Sequence, residues 1–379
     1  MRWLMGLFFL SLLAGPLSGL ELIPGVVVYL HDLLLVIIFI ATVTKVWKSG
    51  ALSRSRLAYP IGSFIIASLI SLIANSGRFS LSQLAVGSLY LWRWLGYSYL
   101  YFLVVIKIQK PIWWLRNLYL VGTGFAILGL FQLWLYPDLR NLYYLGWDPH
   151  DRRLFSTLLD PNFMGIILVL TLFLGFWLRE VVPQGLNLIA LILTYSRSSY
   201  LAFFIGLIIW LSFTKRWKVA LVSIFLFSAL IILLPQGKEG QNLLRWTSSA
   251  ARLENWQRGV ELVKQEPLLG HGFNTLRFIQ DKLGGSQEFP SRAGGGIDSS
   301  LLFILATTGL LGLGTYSWLI GGMISLGRRL LKRNQTKLLG LTYLISLVAI
   351  LIHSLFVNSL FYPWVVIWLW IMTAVVESS

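Results

Sequence analysis

The stretch GLNLIALILTYSRSSYLAFFIGLIIWLSF, residues 185–213, carries a single charged residue, Arg197, in a run that is otherwise uncharged and largely apolar. Runs of this kind decide the fold class, because about 17 to 25 apolar residues in helical form, at ~1.5 Å each, cross the hydrocarbon core of a bilayer. They recur at 3–20, 26–44, 59–76, 88–106, 112–135, 163–178, 185–196, 199–213, 218–234, 299–320, 338–356 and 360–376. The pattern predicts an all-α polytopic membrane protein with about 12 transmembrane helices. The run 185–196 is too short to cross a bilayer alone, so the chain is expected to tilt, to continue the preceding turn or to break at Ser196–Ser199.

Composition agrees. Of 379 residues, 56% are hydrophobic and 12% charged, where soluble domains carry about 25% charged residues. One hydrophilic block interrupts the apolar runs, so residues 1–379 read as a single integral membrane domain with 235–298 as a large loop within it. The absence of cysteine excludes disulfides, thiolate nucleophiles and Cys-ligated metals. The net charge of +16 is a topology signal: with the N-terminus in the cytoplasm, Lys45, Lys48, Arg54, Arg56, Lys107, Lys110, Arg179, Lys215, Arg216, Lys218, Arg328, Arg329, Lys332, Arg333 and Lys337 all fall on inner connections. Acids there are nearly confined to Glu180 and the C-terminal Glu377. Both termini are therefore expected to be cytoplasmic and segments 136–162 and 235–298 extracytoplasmic, with membrane lipids as surroundings and no nucleic-acid partner. The N-terminal MRWLMGLFFLSLLAGPLSG reads as a first span, a cleaved signal peptide being the alternative.

Polar residues in this setting are candidates for function. An arginine at the centre of a span costs roughly 2.5 to 3.5 kcal/mol, less near an interface where it snorkels. Arg197 is thus either an interfacial anchor or an anion ligand, and the flanking Ser196, Ser198 and Ser199 favour the anion. Arg93, between Trp92 and Trp94 and about a turn and a half inside its span, reads equally as a binding group and as aromatic-belt stacking. In the large loop Leu253, Trp256, Val260 and Val263 recur at helical spacing, predicting an amphipathic helix at the membrane surface that ends at Pro267 and Gly270. Arg258 has Glu254 and Glu261 at ion-pairing distances along that helix, whereas Arg252 has no acid there and is the better anion ligand; Arg245 shares its face.

Asp298 follows Gly294–Gly296 and opens the run 299–320, either as a helix N-cap or as a proton acceptor. His353, near Asn358, and His271 in the loop could move a proton at neutral pH; His31 and His150 have no such context. Asp160 with Pro161 reads as the cap of the run 163–178. No metal-ligand spacing, phosphate loop or Ser-His-Asp order is present, so neither metal nor cofactor is expected.

Taken in order, RLFSTLLDPNFMG (153–165), LTYSRSSYLAFFIGL (193–207), RLENWQRGVELVKQEPLLGHGFN (252–274), DSSLLFILATTGLLGL (298–313) and HSLFVNSLFYPW (353–364) resemble the O-antigen ligase and O-antigen polymerase (Wzy-type) family over roughly residues 150–365. The resemblance implies a glycosyltransferase-C type of fold and a metal-independent glycosyltransferase of the bacterial inner membrane. It implies a polyprenyl-diphosphate-linked glycan as donor, such as an undecaprenyl diphosphate, and a glycan or lipid as acceptor, with a polysaccharide-assembly complex as setting. On it Arg197 and Arg252 contact the donor pyrophosphate and Asp298 stands where the acceptor hydroxyl is activated, the three catalytic candidates. Arg93, Arg245, Arg258, His353 and His271 complete the substrate-binding candidates. Many relatives carry His followed by Asn or Ser where this chain has Asp298 and Ser299, so the base departs from the family pattern. A transporter of an organic anion or lipid-linked glycan is the competing class; it predicts mid-membrane polar groups and internal repeats, which the sequence does not display. A non-catalytic scaffold is the third reading.

Overall fold

The computed structural model describes residues 1–23, 26–106, 110–215, 225, 228–229, 241, 247–282 and 296–379. Its helices are α1 (Arg2–Leu12), α2 (Leu30–Lys48), α3 (Ala51–Arg54), α4 (Ala58–Ala74), α5 (Leu81–Val105), α6 (Pro111–Leu135), α7 (Pro161–Leu178), α8 (Val182–Leu193), α9 (Arg197–Thr214), α10 (Thr247–Gln265), α11 (Leu276–Lys282), α12 (Ser300–Leu331), α13 (Lys337–His353) and α14 (Pro363–Ser378). Among the described residues five of them, α2, α6, α7, α9 and α12, are long and apolar enough to cross a membrane; α1, α4, α8, α13 and α14 are shorter apolar helices. The protein is a helical membrane protein. The expected run 218–234 lies outside the described residues except at 225 and 228–229.

Burial sorts the helices into layers. In α7, 72% of the apolar window is buried, against 28% in α2, and α14 is buried continuously from Trp364 to Val376. A helix apolar on every side belongs in the interior; α7, α13 and α14 fill the centre and α2 presents Val36, Ile37 and Ile40 outward.

Two expectations are corrected. The run 3–20 is not one helix: α1 stops at Leu12, Gly15 turns at φ +57°, and Pro16 opens a short 3-10 turn into the antiparallel hairpin β1 (Leu20–Ile23) and β2 (Val26–Val28). A Cβ at Gly15 would stand 2.3 Å from the Thr157 carbonyl oxygen, so this corner requires glycine. The helix α5 starts at Leu81 rather than at 88, with Ser80 and Gln83 forming a capping box, and Arg93 consequently lies about three turns inside it.

The element that shapes the site is α12. It breaks at Gly309 (φ +63°, ψ −163°), and the segment 267–272 fills the gap. Leu310 and Leu311 donate to the carbonyls of Pro267 and Leu268 at 2.9 and 3.2 Å, while His271 and Gly272 donate to those of Ala306 and Thr307 at 2.9 and 3.0 Å. Ser71 Oγ also donates to the Thr307 carbonyl at 2.7 Å, and Asn75 Nδ2 to that of Gly270 at 2.9 Å. A break at this depth is tolerated because neighbouring protein satisfies the released backbone groups.

Candidate functional site

The helix starts of α7, α9 and α12 and the C-terminal end of α13 meet at one end of the bundle. As the short run 185–196 suggested, the chain breaks between α8 and α9: Tyr195 takes φ +50° and Arg197 becomes the first residue of α9. Arg153, buried, fixes the turn by donating from Nε to the Thr194 carbonyl at 2.9 Å and from Nη2 to the Tyr195 carbonyl at 3.3 Å. Ser196 occupies the cap position without making a cap bond; its hydroxyl instead donates to Asn162 Oδ1 at 3.1 Å and lies 2.9 Å from Ser199 Oγ. The first-turn N–H groups of α9 therefore carry the positive end of the helix dipole toward the space in front of it. A cation at that end, as at Arg197, is in the wrong place for helix stability and in the right place for an anion.

That space is a cavity of about 620 Å³ lined by Arg197, Ser198 and Leu201 of α9, by Arg252, Leu253, Trp256 and Gln257 of α10, and by Phe356 after α13. The two arginines singled out from the sequence thus face one cavity. Among the described residues Arg252 has no ion pair within 4.0 Å. Burial draws its guanidinium below the ordinary value, opposed by Asp298 and reinforced by the like charge of Arg197. The Trp256 indole N–H is buried without an acceptor among the described residues, and its ring stacks on Phe356 at 6.0 Å. The rest of the lining is Ala250 and Glu254, the latter paired with Arg258.

The position of α10 is set by polar bonds. Asn255 Oδ1 accepts from the Asp298 N–H at 2.9 Å and its Nδ2 donates to the Gly296 carbonyl at 3.1 Å. The packed face runs through Arg252, Asn255, Trp256, Gly259 and Leu262, so the expected apolar stripe is rotated: Leu253 is 57% and Val260 41% exposed. Gly259 permits the close approach, since a Cβ there would meet Ile297 at 3.3 Å.

Asp298 is not the cap of α12. Ser299 is, its hydroxyl accepting from the Leu302 N–H at 3.5 Å, and the Asp298 carboxylate is left out of the helix-start bonds. Burial raises its pKa, Arg252 opposes this and Asp160 adds to it. Asp160 does cap α7, accepting from the N–H groups of Asn162 and Phe163 at 2.6 and 3.1 Å; burial raises it against those bonds and against Arg153 and Arg252. The sequence reading missed a third carboxylate, Asp148. Burial, then Asp160 and Asp298, push it up to about 6, with Arg153 pulling the other way. Ligand atoms of Asp148, His150 and Asp160 lie within 4.8 Å of one another, close enough to share a divalent cation. The only sequence signal was the polar WDPH, residues 147–150, in a short loop.

The other candidates separate. His353 is buried, with Nε2 3.2 Å from Ser199 Oγ and Nδ1 2.6 Å from Ser359 Oγ, and so holds the first turn of α9 against the chain entering α14. His271 is also buried, its Nε2 2.9 Å from the Leu262 carbonyl, which ties α10 to the segment inserted into α12. Arg258 pairs with Glu254 on the exposed face, as its spacing predicted. Arg93 pairs with Asp32 at 3.2 Å, donates to the Val27 carbonyl and lies 5.4 and 5.2 Å from the Tyr29 and Tyr90 rings; it does not line the cavity. Arg245 lies outside the described residues.

A family model described as O-antigen ligase matches residues 185–317. The stretch holds α8, α9, α10 and the broken first part of α12, and with them Arg197, Arg252 and Asp298. The resemblance drawn from the ordered motifs is borne out over this segment, and with it a place in surface-polysaccharide synthesis. No curated protein matches the chain.

Proposed function

We propose, with the O-antigen ligase match as premise, that this protein transfers a glycan from a polyprenyl-diphosphate carrier to an acceptor sugar or lipid, at the extracytoplasmic face of the bacterial cytoplasmic membrane. The observation that carries this reading is the cavity itself: two arginines from different helices, beside a helix start, against the apolar walls of Leu201, Leu253, Trp256 and Phe356. A volume of about 620 Å³ suits a headgroup-sized ligand.

In this reading the diphosphate sits between Arg197 and Arg252, whose guanidinium groups stay charged and bind phosphate oxygens in pairs. The apolar walls take the first isoprene units. Charge develops on the bridging diphosphate oxygen as its bond to the anomeric carbon breaks, and cations placed beforehand stabilise it most effectively where water is excluded. The acceptor hydroxyl attacks that carbon while a carboxylate takes its proton; Asp298, raised by burial and outside the helix cap, suits the role.

The test uses the full chain in lipid nanodiscs with undecaprenyl diphosphate as probe, and membranes from producing cells, with their own lipid-linked donor, for transfer. Arg197→Ala and Arg252→Ala are each expected to weaken binding at least about tenfold and to lower transfer about 10²- to 10³-fold. Arg258→Ala, removing an exposed pair, is expected to leave both near the wild-type level. Wild-type binding and transfer in Arg252→Ala would contradict the diphosphate site.

A further inference from the structure

We propose that the end of the bundle opposite the cavity carries a binding site for the headgroup of an anionic phospholipid, formed by Arg56, Arg329 and Arg333. The inference is independent of the glycan-transfer reading and uses residues outside the O-antigen ligase match at 185–317.

Three chain segments meet there around Glu377. Arg56 stands in the link between α3 and α4, Arg329 in the last turn of α12, and Arg333 one turn further on. Glu377, in the last turn of α14, accepts the Arg56 backbone N–H on Oε1 at 3.0 Å and the Tyr101 hydroxyl on Oε2. Its carbonyl accepts from Arg329 Nη2 at 3.0 Å. The corner bearing Arg333 is fixed as well. The Arg333 N–H donates to the Leu330 carbonyl at 3.2 Å, and the Thr336 N–H to that of Arg333 at 3.1 Å.

These bonds commit the carboxylate to neutral donors and leave the guanidinium groups without a counter-ion. Among the described residues none of the three has a carboxylate within 4.0 Å, and Arg329 Nε is buried without an acceptor. The charges that reach Arg329 are those of Arg56 and Arg333, of its own sign, and that of Glu377. Three cations face one acid, so the group holds a local surplus of positive charge.

The helix dipole accounts for part of this cluster. A cation at the C-terminal end of α12, as at Arg329, is in its favoured place. Arg56 is not: it lies two residues ahead of Ala58, the first residue of α4, where the dipole repels a cation, and α4 has no side-chain cap. An anion in front of α4 relieves that penalty and the repulsion among the arginines together. Depth selects the kind of anion. Tyr59, about one turn beyond Arg56, is 72% exposed, and Leu52 is 41% exposed. In a membrane protein such a tyrosine marks the headgroup level. Arg56 and Arg333 are exposed and Arg329 is half-buried. Guanidinium forks match phosphate oxygens in pairs, and a basic pocket between spanning helices suits a lipid headgroup. A lipid phosphate at this point joins α12, α14 and the link before α4 through charges that otherwise repel.

The test uses the full chain in detergent, with cardiolipin, phosphatidylcholine and inorganic phosphate as probes. Native mass spectrometry reads bound lipid, and melting temperature reads stabilisation. Cardiolipin is expected to be retained and to raise the melting temperature; phosphatidylcholine and inorganic phosphate at the same concentration are expected to do neither. Arg56→Gln combined with Arg333→Gln keeps the backbone bond from residue 56 to Glu377. It is expected to weaken cardiolipin binding at least about tenfold while melting, without lipid, no lower than wild type. Lys45→Gln combined with Lys337→Gln removes the same charge from the same end, where Lys337 lies over the Phe213 ring at 5.0 Å. That pair is expected to change cardiolipin binding less than about twofold. Equal weakening in the two double variants overturns the proposal, because surface charge in general would then explain the binding. So does an equal rise in melting temperature with phosphatidylcholine, which needs acyl chains alone, or with inorganic phosphate, which needs no lipid. Arg252→Ala is expected to lose undecaprenyl diphosphate and to keep cardiolipin; loss of cardiolipin in that variant would place the phospholipid in the cavity and overturn the second site.

Discussion

Asp298 and its neighbour Ser299 divide two roles that the sequence superimposes on one position. Ser299 caps α12 and Asp298 carries a half-buried carboxylate outside the cap. Ser299→Ala is therefore expected to cost about 1 kcal/mol of stability while retaining transfer, and Asp298→Asn to keep the melting temperature while lowering transfer about 100-fold; paired melting and transfer measurements check both. Asp148 has a stability signature as well. Its proton affinity rises from 3.8 to about 6 on folding, so between those values the folded state binds more protons and stability falls as pH rises. Above pH 6 Asp148→Asn is expected to melt higher than wild type, the difference vanishing below about pH 4, where both states are protonated. Arg197 was legible because it is the one charge in an apolar run, and Arg252 because its loop helix puts no acid at helical spacing from it. Asp148 was not legible: an acid in a polar loop has no local peculiarity, and its raised proton affinity comes first from burial and then from Asp160 and Asp298, 12 and 150 positions further along the chain.

At the scale of elements, α10 and α12 act as one unit. Two glycines make this so. Gly309 takes φ +63° with a Cβ position 2.3 Å from the Leu268 backbone, and Gly270 takes φ +66° with a Cβ position 2.5 Å from that of Thr307. An alanine at either site is strained by its φ and blocked by main chain, which cannot rotate aside. Gly309→Ala is expected to lower the melting temperature and to open the 267–272 segment to proteolysis, with diphosphate binding reduced because α10, which carries Arg252, is tied to that segment through His271 and Leu262. Unchanged proteolysis would mean that the insertion does not anchor the loop. Hydropathy alone reads 299–320 as an unbroken span, since apolar residues continue on both sides of Gly309. The face of α10 was misread for a related reason. Periodicity follows apolar residues, but the helix is seated by Asn255 and Gly259, leaving Leu253 to line the cavity.

Across the whole molecule, the two ends of the bundle carry polar groups with different purposes. At the end opposite the cavity, Glu377 in the last turn of α14 accepts from the Tyr101 hydroxyl and from the Arg56 N–H, the latter at 3.0 Å, and its carbonyl accepts from Arg329 Nη2 at 3.0 Å. These contacts join α14 to α5, α12 and the link before α4. At the cavity end, among the described residues, Arg252 lines the cavity without an ion pair within 4.0 Å and the Trp256 N–H without an acceptor. Satisfied buried networks stabilise a fold, whereas polar groups gathered around a cavity are an arrangement suited to a ligand. The contrast yields a control for every variant above. Glu377→Ala leaves the Tyr101 hydroxyl and the Arg56 backbone N–H without their carboxylate acceptor and is expected to cost about 1 to 3 kcal/mol, visible as a lower melting temperature. Undecaprenyl diphosphate binding by the folded fraction is expected to match wild type, because among the described residues the hydrogen bonds of Glu377 go to Tyr101, Arg56 and Arg329 and not to the cavity helices α9 and α10. Arg252→Ala is expected to do the reverse, relieving repulsion with Arg197 and raising the melting temperature while binding is lost. If both variants instead moved stability and binding together, the two ends would be energetically coupled, and the division between a fold-holding end and a ligand-holding end would fail.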